Sequence, residues 1–179
     1  MRCIVLVGPK HSGKTSAGRE LASLSGRSFV DLDEYIAAQS GKSPRELYTE
    51  GPEIFQQAEA AALEALFAHE AAGPSPLVIA AGGGLVDNPG ALALLEKNSA
   101  FSVFLDLSPK AAWQRIVREG ELPPFLKTGS PEETHRLLHE RRALAYRDFA
   151  SLSVTAEGKS PGEIAREILQ KINSIMEKK

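Results

Sequence analysis

Near the start of the chain an apolar run, Ile4-Val5-Leu6-Val7, breaks at Gly8-Pro9-Lys10-His11-Ser12-Gly13-Lys14-Thr15. It resumes as Ser16-Ala17-Gly18-Arg19-Glu20-Leu21-Ala22, whose apolar residues return at helical spacing. No other segment constrains the fold as strongly. A strand that turns into a helix through G-x-x-x-x-G-K-[ST] curls its backbone amides inward, and the helix N-terminus adds partial positive charge at the same point. The anion that suits such a cradle is a nucleoside triphosphate, bound by Gly8, Pro9, Lys10, His11, Ser12, Gly13, Lys14, Thr15 and Ser16. Lys14 is expected at the β- and γ-phosphates and the Thr15 hydroxyl at Mg²⁺.

Further strand-like runs occur at Ser28-Phe29-Val30-Asp31, Leu77-Val78-Ile79-Ala80 and Phe101-Ser102-Val103-Phe104-Leu105, with a weaker one at Leu152-Ser153-Val154. Between them lie longer stretches of helical spacing, such as Ile54, Ala58, Ala61, Ala62, Ala65 and Leu66. Strands that are apolar on both faces and alternate with helices specify a parallel α/β sheet covered on both sides. Three helix starts are written as capping boxes with proline at the first helical position: Ser43-Pro44-Arg45-Glu46, Ser130-Pro131-Glu132-Glu133 and Ser160-Pro161-Gly162-Glu163. Asn88-Pro89 is a simpler start of the same kind. At 179 residues the chain is expected to form one domain, 1–179.

Charge and cysteine content exclude several classes. Lys and Arg number 21 and Asp and Glu 23, a formal charge of −2, without the basic excess of a general nucleic-acid or anionic-membrane binder. The single cysteine, Cys3, rules out an intrachain disulfide and is expected in a buried strand. There is no apolar core of signal-peptide length at the start and no stretch long enough to span a bilayer, so the expected location is the cytoplasm.

Two groups of residues fall where the ends of parallel strands share a crevice. Asp31-Leu32-Asp33 closes the second strand-like run; alternation along a strand would turn both carboxylates the same way, toward the γ-phosphate. The alternative is that Asp33 caps a helix starting at Glu34. Gly82-Gly83-Gly84 comes after the third run and allows close backbone approach to a ligand, or else marks a flexible turn. His135 and His139, four apart on an expected helix, lack the glutamate of a zinc-protease pattern.

Taken in order, these segments resemble the shikimate kinase family, small P-loop kinases of the nucleoside-monophosphate-kinase fold. The resemblance rests on residues 8–15, on Phe29-Val30-Asp31-Leu32-Asp33-Glu34-Tyr35-Ile36, and on Gly51 with Phe55 and Glu59. It continues through Ala81-Gly82-Gly83-Gly84, Leu105-Asp106-Leu107-Ser108 leading to Arg115, and Arg141-Arg142-Ala143-Leu144-Ala145-Tyr146-Arg147. It implies a three-layer P-loop kinase fold with a five-stranded parallel sheet of order 2-3-1-4-5, and the conversion of ATP and shikimate to ADP and 3-phosphoshikimate. Lys14, Asp33 and Arg115 would be the catalytic residues. Thr15 and Asp31 would serve the Mg²⁺, and Asp33 would hold the acceptor hydroxyls as base. Gly82, Gly83 and Gly84 would lie along the acceptor. Arg115 would reach ATP from the base of a lid at 118–130, a stretch broken by Gly120, Pro123, Pro124 and Gly129. The partners implied are ATP and a small hydroxyl-bearing acceptor, on a monomer that binds neither nucleic acid nor membrane.

The family grips its acceptor's carboxylate with three arginines, and here two are replaced. Gln56 stands in one of those places and Pro123 in another; Arg142 keeps the third, and Gly51-Pro52 replaces a Gly-Glu pair. Charge-assisted hydrogen bonds contribute about 1.5–3 kcal/mol each, so the two losses should cost roughly 3–6 kcal/mol, or about 10²–10⁴ in affinity, unless replaced. Three expectations stay open. Arg118, Lys127 or Arg141 supplies the missing cations; or the acceptor is another hydroxyl metabolite, gluconate-like, nucleotide or without a carboxylate; or the chain is a non-catalytic nucleotide-binding module.

Overall fold

A computed structural model describes residues 2–72, 76–119 and 130–177. Five strands, β1 (Cys3–Val7), β2 (Ser28–Asp31), β3 (Leu77–Ala80), β4 (Phe101–Asp106) and β5 (Leu152–Thr155), form one parallel sheet in the order β2-β3-β1-β4-β5. The helices are α1 (Lys14–Ser25), α2 (Leu32–Ser40), α3 (Pro44–Glu50), α4 (Pro52–Ala72), α5 (Pro89–Lys97), α6 (Pro109–Glu119), α7 (Pro131–Phe149) and α8 (Pro161–Met176). A 3-10 turn, Leu85–Asp87, lies between β3 and α5. No described helix is long and apolar enough to cross a membrane. The expected lid at 118–130 lies, except for its ends, outside the described residues.

The period-two alternation of the central strand distributes the core into two layers. Cys3, Val5 and Val7 face one side with Ile79 and Phe104, against Leu32 and Ile36 of α2, Leu63, Leu66 and Phe67 of α4, Leu95 of α5 and Tyr146 of α7. Ile4 and Leu6 face the other with Val78, Val103, Leu105 and Val154, against Ala17 and Leu21 of α1 and Ile164, Ile168 and Ile172 of α8. All five β1 residues are buried, Ile4 to Val7 completely. Full burial of each aliphatic side chain stabilises the fold by roughly 1.5–3 kcal/mol, which makes β1 the most firmly held strand and anchors the loop at its carboxyl end. Parallel pairing then requires right-handed helical crossovers, and these bring the carboxyl ends of β1, β2 and β3 together along one edge.

Two of the three expected capping boxes are present: Ser43 with Glu46, and Ser160 with Glu163. Asn88 caps α5 by accepting from the Ala91 amide. Ser130 is the N-cap of α7 but makes no side-chain cap bond, and Glu133, whose carboxylate would reach back to it, is held instead by both Nε and Nη2 of Arg136. An exposed ion pair at helical spacing replaces the box there.

On the inner face of α1, Gly18 lets the helix approach the sheet. A Cβ there would lie 2.6 Å from a ring carbon of Phe29 and 3.3 Å from Leu6 Cδ1. Gly18→Val is therefore expected to lower stability by about 1–3 kcal/mol despite removing a glycine from a helix, because overpacking pushes β2 off α1. Urea unfolding with an unchanged m value and a lower midpoint checks this.

Candidate active site

The chain leaves β1 through backbone that few side chains could accommodate. Gly8 adopts φ +142°, and a Cβ there would lie 2.7 Å from the Leu105 carbonyl oxygen. His11 is held at φ +63°, outside the usual range for a residue with a side chain, and Gly13 at φ +88° starts α1. Lys14 is 8% exposed and its amine turns back over the loop, donating to the carbonyls of Gly8 at 3.0 Å and Pro9 at 2.8 Å. Burial brings its pKa down to about 8, against the opposing pull of Asp33 and Asp31. The buried Ser12 hydroxyl has no hydrogen-bond partner in the structure. Arg115 reaches across from α6 and donates to the His11 carbonyl at 2.6 Å, while Lys10 and Ser16 lie exposed at the loop's rim. A glycine-curled loop at a helix N-terminus, with a buried amine and an unpartnered hydroxyl, has the character of a phosphate site.

The metal-binding expectation meets its strongest contact at Asp31. Thr15 Oγ1 donates to Asp31 Oδ2 at 2.6 Å. The other carboxylate oxygen caps α2, accepting from the amides of Asp33 at 3.1 Å and Glu34 at 3.3 Å. The strand therefore stops at Asp31 and the helix begins at Leu32, earlier than expected: Asp31 is the cap rather than Asp33, and strand alternation is not what aligns the two carboxylates. They converge because one ends a strand and the other sits in the first turn of the helix it caps. A hydroxyl and a carboxylate are the hard oxygen donors Mg²⁺ favours. No cluster of three or more His, Cys, Asp or Glu suited to a metal occurs among the described residues.

Asp33 is half-buried. Burial raises its pKa, the neighbouring Asp31 charge adds to the rise, and Lys14 and Lys10 oppose it. Its Oδ1 is buried without a partner. Opposite stands Glu59 of α4, 1% exposed, with Oε2 accepting from Asn88 Nδ2 at 2.9 Å and Oε1 buried without a partner. Burial pushes Glu59 up to about 7, moderated by the Asn88 bond and reinforced by Asp33. Glu59 carries part of the resemblance, yet sequence reasoning assigns it no place in the site. Its signal is visible all the same, since it falls on the apolar stripe of α4 with Ala62, Leu63, Leu66 and Phe67, where a carboxyl group is out of place.

The three glycines after β3 meet three different neighbours, and none is simply a flexible turn. A Cβ on Gly82 would stand 3.1 Å from Asp33 Oδ1 and 3.2 Å from Glu59 Oε1; on Gly83, 2.8 Å from the Lys10 backbone nitrogen; on Gly84, 3.1 Å from Arg142 Nη2. None of the three has a positive φ, so close approach requires them rather than an unusual conformation. Arg142 lies along this turn, with Nε on Asp87 Oδ2 at 2.8 Å and Nη1 on the Gly83 carbonyl at 3.3 Å. Gln56 is tied to the same turn, its amide donating to the Asp87 carbonyl at 3.0 Å. Arg141, one expected substitute cation, pairs with Asp87 Oδ1 at 2.8 Å. Arg118 is exposed on α6, and Pro123 and Lys127 lie outside the described residues. His135 and His139 are buried elsewhere, His139 Nε2 against the Leu107 carbonyl at 2.7 Å and His135 against Trp113.

A parallel sheet with a glycine-curled phosphate loop after its central strand β1, and carboxylates at the end of the edge strand β2 and in the first turn of α2, defines the P-loop kinases of small molecules. The model of the shikimate kinase family matches residues 10–173. The chain is 36% identical to the shikimate kinase of Synechococcus sp. (strain CC9605) over 178 residues, 98% of this chain and 85% of that one. It is 33% identical to the shikimate kinase of Aromatoleum aromaticum, over 98% of this chain and 97% of the relative. Among solved structures, the shikimate kinase from Acinetobacter baumannii in complex with shikimate superposes with a TM-score of 0.85 at 31% identity, covering 97% of this chain and 94% of that one. The chain belongs to the shikimate kinase family and is an ATP phosphotransferase enzyme of that type.

A carboxyl group titrating near 7 when folded, against 4.5 ordinarily, binds more protons in the native state across that interval. Glu59 therefore withdraws stability as pH rises from 4.5 through 7, on the order of 2–3 kcal/mol in total. His135, which burial holds down at about 4, works in the opposite direction below pH 6.5. Glu59→Gln, which can still accept from Asn88, isolates the effect: its stability relative to wild type should rise by about 2–3 kcal/mol between pH 4.5 and 8. Urea unfolding at both pH values measures the difference.

Proposed function

We propose that this chain transfers the γ-phosphoryl group of ATP to a hydroxyl of a small polyol acceptor of the shikimate type. The observation that carries the assignment is the 2.6 Å contact between Thr15 and Asp31, which sets a pair of hard oxygen donors beside the Lys14 amine and the unpartnered Asp33 oxygen. Bound there, Mg²⁺ would neutralise phosphate charge. The loop 8–15 holds the phosphates through its amides, with Ser16 at its exposed end. Lys14 leaves the Gly8 and Pro9 carbonyls for the β- and γ-oxygens, and Arg115, already against the loop at His11, adds positive charge on the nucleotide side.

On the acceptor side, Asp33 Oδ1 receives the hydroxyl. As the new P–O bond forms and the bond to ADP breaks, the hydroxyl proton passes to Asp33. The burial that raises the pKa of Asp33 strengthens it as a base. Gly82, Gly83 and Gly84 form the floor on which the acceptor lies, and Gln56 and Arg142 brace that floor through Asp87.

ADP release with Mg-ATP should rise above background with a cyclic polyol when shikimate, its methyl ester, gluconate, nucleosides and nucleoside monophosphates are compared. Background release with every acceptor would reject the assignment. Asp33→Asn should lower kcat by about 10²–10⁴ while leaving ATP affinity within about threefold. Lys14→Ala should lower kcat/KM for ATP by at least about 10². Steady-state kinetics and nucleotide titration separate the two.

A further inference from the structure

The wall of the acceptor site already holds the anion its arginine would otherwise attract. Asp87 Oδ2 takes both Nε and Nη2 of Arg142, at 2.8 and 2.7 Å, and Oδ1 takes Arg141. The remaining Arg142 nitrogen, Nη1, faces the Gly83 carbonyl. Three of the guanidinium's five N–H groups are thus engaged, two on the single oxygen Oδ2 of Asp87 and one on the Gly83 carbonyl.

Asp87 is not free to withdraw. It ends the 3-10 turn with its amide on the Gly84 carbonyl at 2.9 Å, and its own carbonyl is held by Gln56. The next residue, Asn88, is 4% exposed and bonded to Gln56, Glu59 and Ala91. An entering carboxylate would have to displace a carboxylate that is pinned by its backbone on both sides.

The rest of the pocket discourages negative charge as well. Asp33 Oδ1 and Glu59 Oε1 come within 3.2 Å of the same point above Gly82, both buried and both unpartnered, and Glu59 is 1% exposed. A hydroxyl at that point can donate to an ionised carboxylate or accept from a protonated one; a carboxylate can only accept. Among the described residues, the lysines whose charge acts on Asp33 belong to the phosphate side: Lys14 lies over the Gly8 and Pro9 carbonyls, and Lys10 is on the loop itself.

We infer that Asp87 sets the charge of the acceptor, and that the group resting against Arg142 is uncharged, so that the site takes a neutral polyol in preference to its carboxylate counterpart. This rests on the acceptor side of the proposed kinase site. Shikimate and its methyl ester, identical in ring and hydroxyls and differing in that charge, are suitable probes. Titration of the full chain with Mg-ADP present should show wild type binding the ester at least about tenfold more tightly than the acid. Asp87→Asn and Asp87→Ser should each shift that ratio toward the acid by about tenfold or more.

Wild type that binds the acid as well as the ester overturns the inference. So does a variant that keeps ester binding and leaves the ratio within about threefold, or a wild type that binds neither compound at 10 mM. If one variant fails to fold, the wild-type ratio and the other variant decide. Phosphoryl transfer is read separately: ester bound selectively but never phosphorylated would defeat the functional assignment and leave the charge preference standing.

Discussion

A single carboxylate joins the phosphate-loop helix α1 to the strand β2 on the far side of the proposed site. One oxygen of Asp31 accepts two amides at the start of α2 and so ends β2; the other receives the Thr15 hydroxyl and so fixes the first turn of α1. β2 is an edge strand, paired only to β3, and without this tie its carboxyl end would be the least constrained margin of the crevice. Capping bonds of this kind contribute about 1 kcal/mol. Here the same residue also decides where Asp33 sits, because Asp33 lies in the turn that Asp31 caps.

The glycine-rich loop half of the proposed site is largely legible in the sequence. The loop motif needs a strand before it and a helix after it, and both are where apolar spacing places them. The strands agree to within a residue or two, since near-continuous apolar runs admit few other environments. Their order comes from the resemblance, because periodicity says which residues are buried and not which strand lies beside which. The side proposed for the acceptor is less legible. Its wall is assembled from residues far apart in the chain: Gln56 and Glu59 on α4, Asp87 and Asn88 beyond β3, Arg141 and Arg142 on α7. Each is an ordinary polar residue until the fold brings them together.

The departures from expectation have local causes. Asp31 and Asp33 could each have capped α2, and a D-x-D pattern alone does not say which does. Ser130 meets every compositional requirement of a capping box, yet Arg136 takes its glutamate, a competition visible only once the helix exists. The three glycines after β3 stand out as a group, while their separate reasons, two carboxyl oxygens, a loop backbone and a guanidinium, require the neighbours to be in place.

The posture of Lys14 has a consequence for nucleotide capture. Its amine, sequestered among main-chain carbonyls, sits near the midpoint of its ionisation at mildly alkaline pH. A polyphosphate bound as proposed would favour the ammonium form, so in that range loading of the loop would take up hydrogen ions from the medium. The heat of association then carries a contribution from whatever buffer supplies them, and the apparent affinity falls as hydroxide becomes more plentiful.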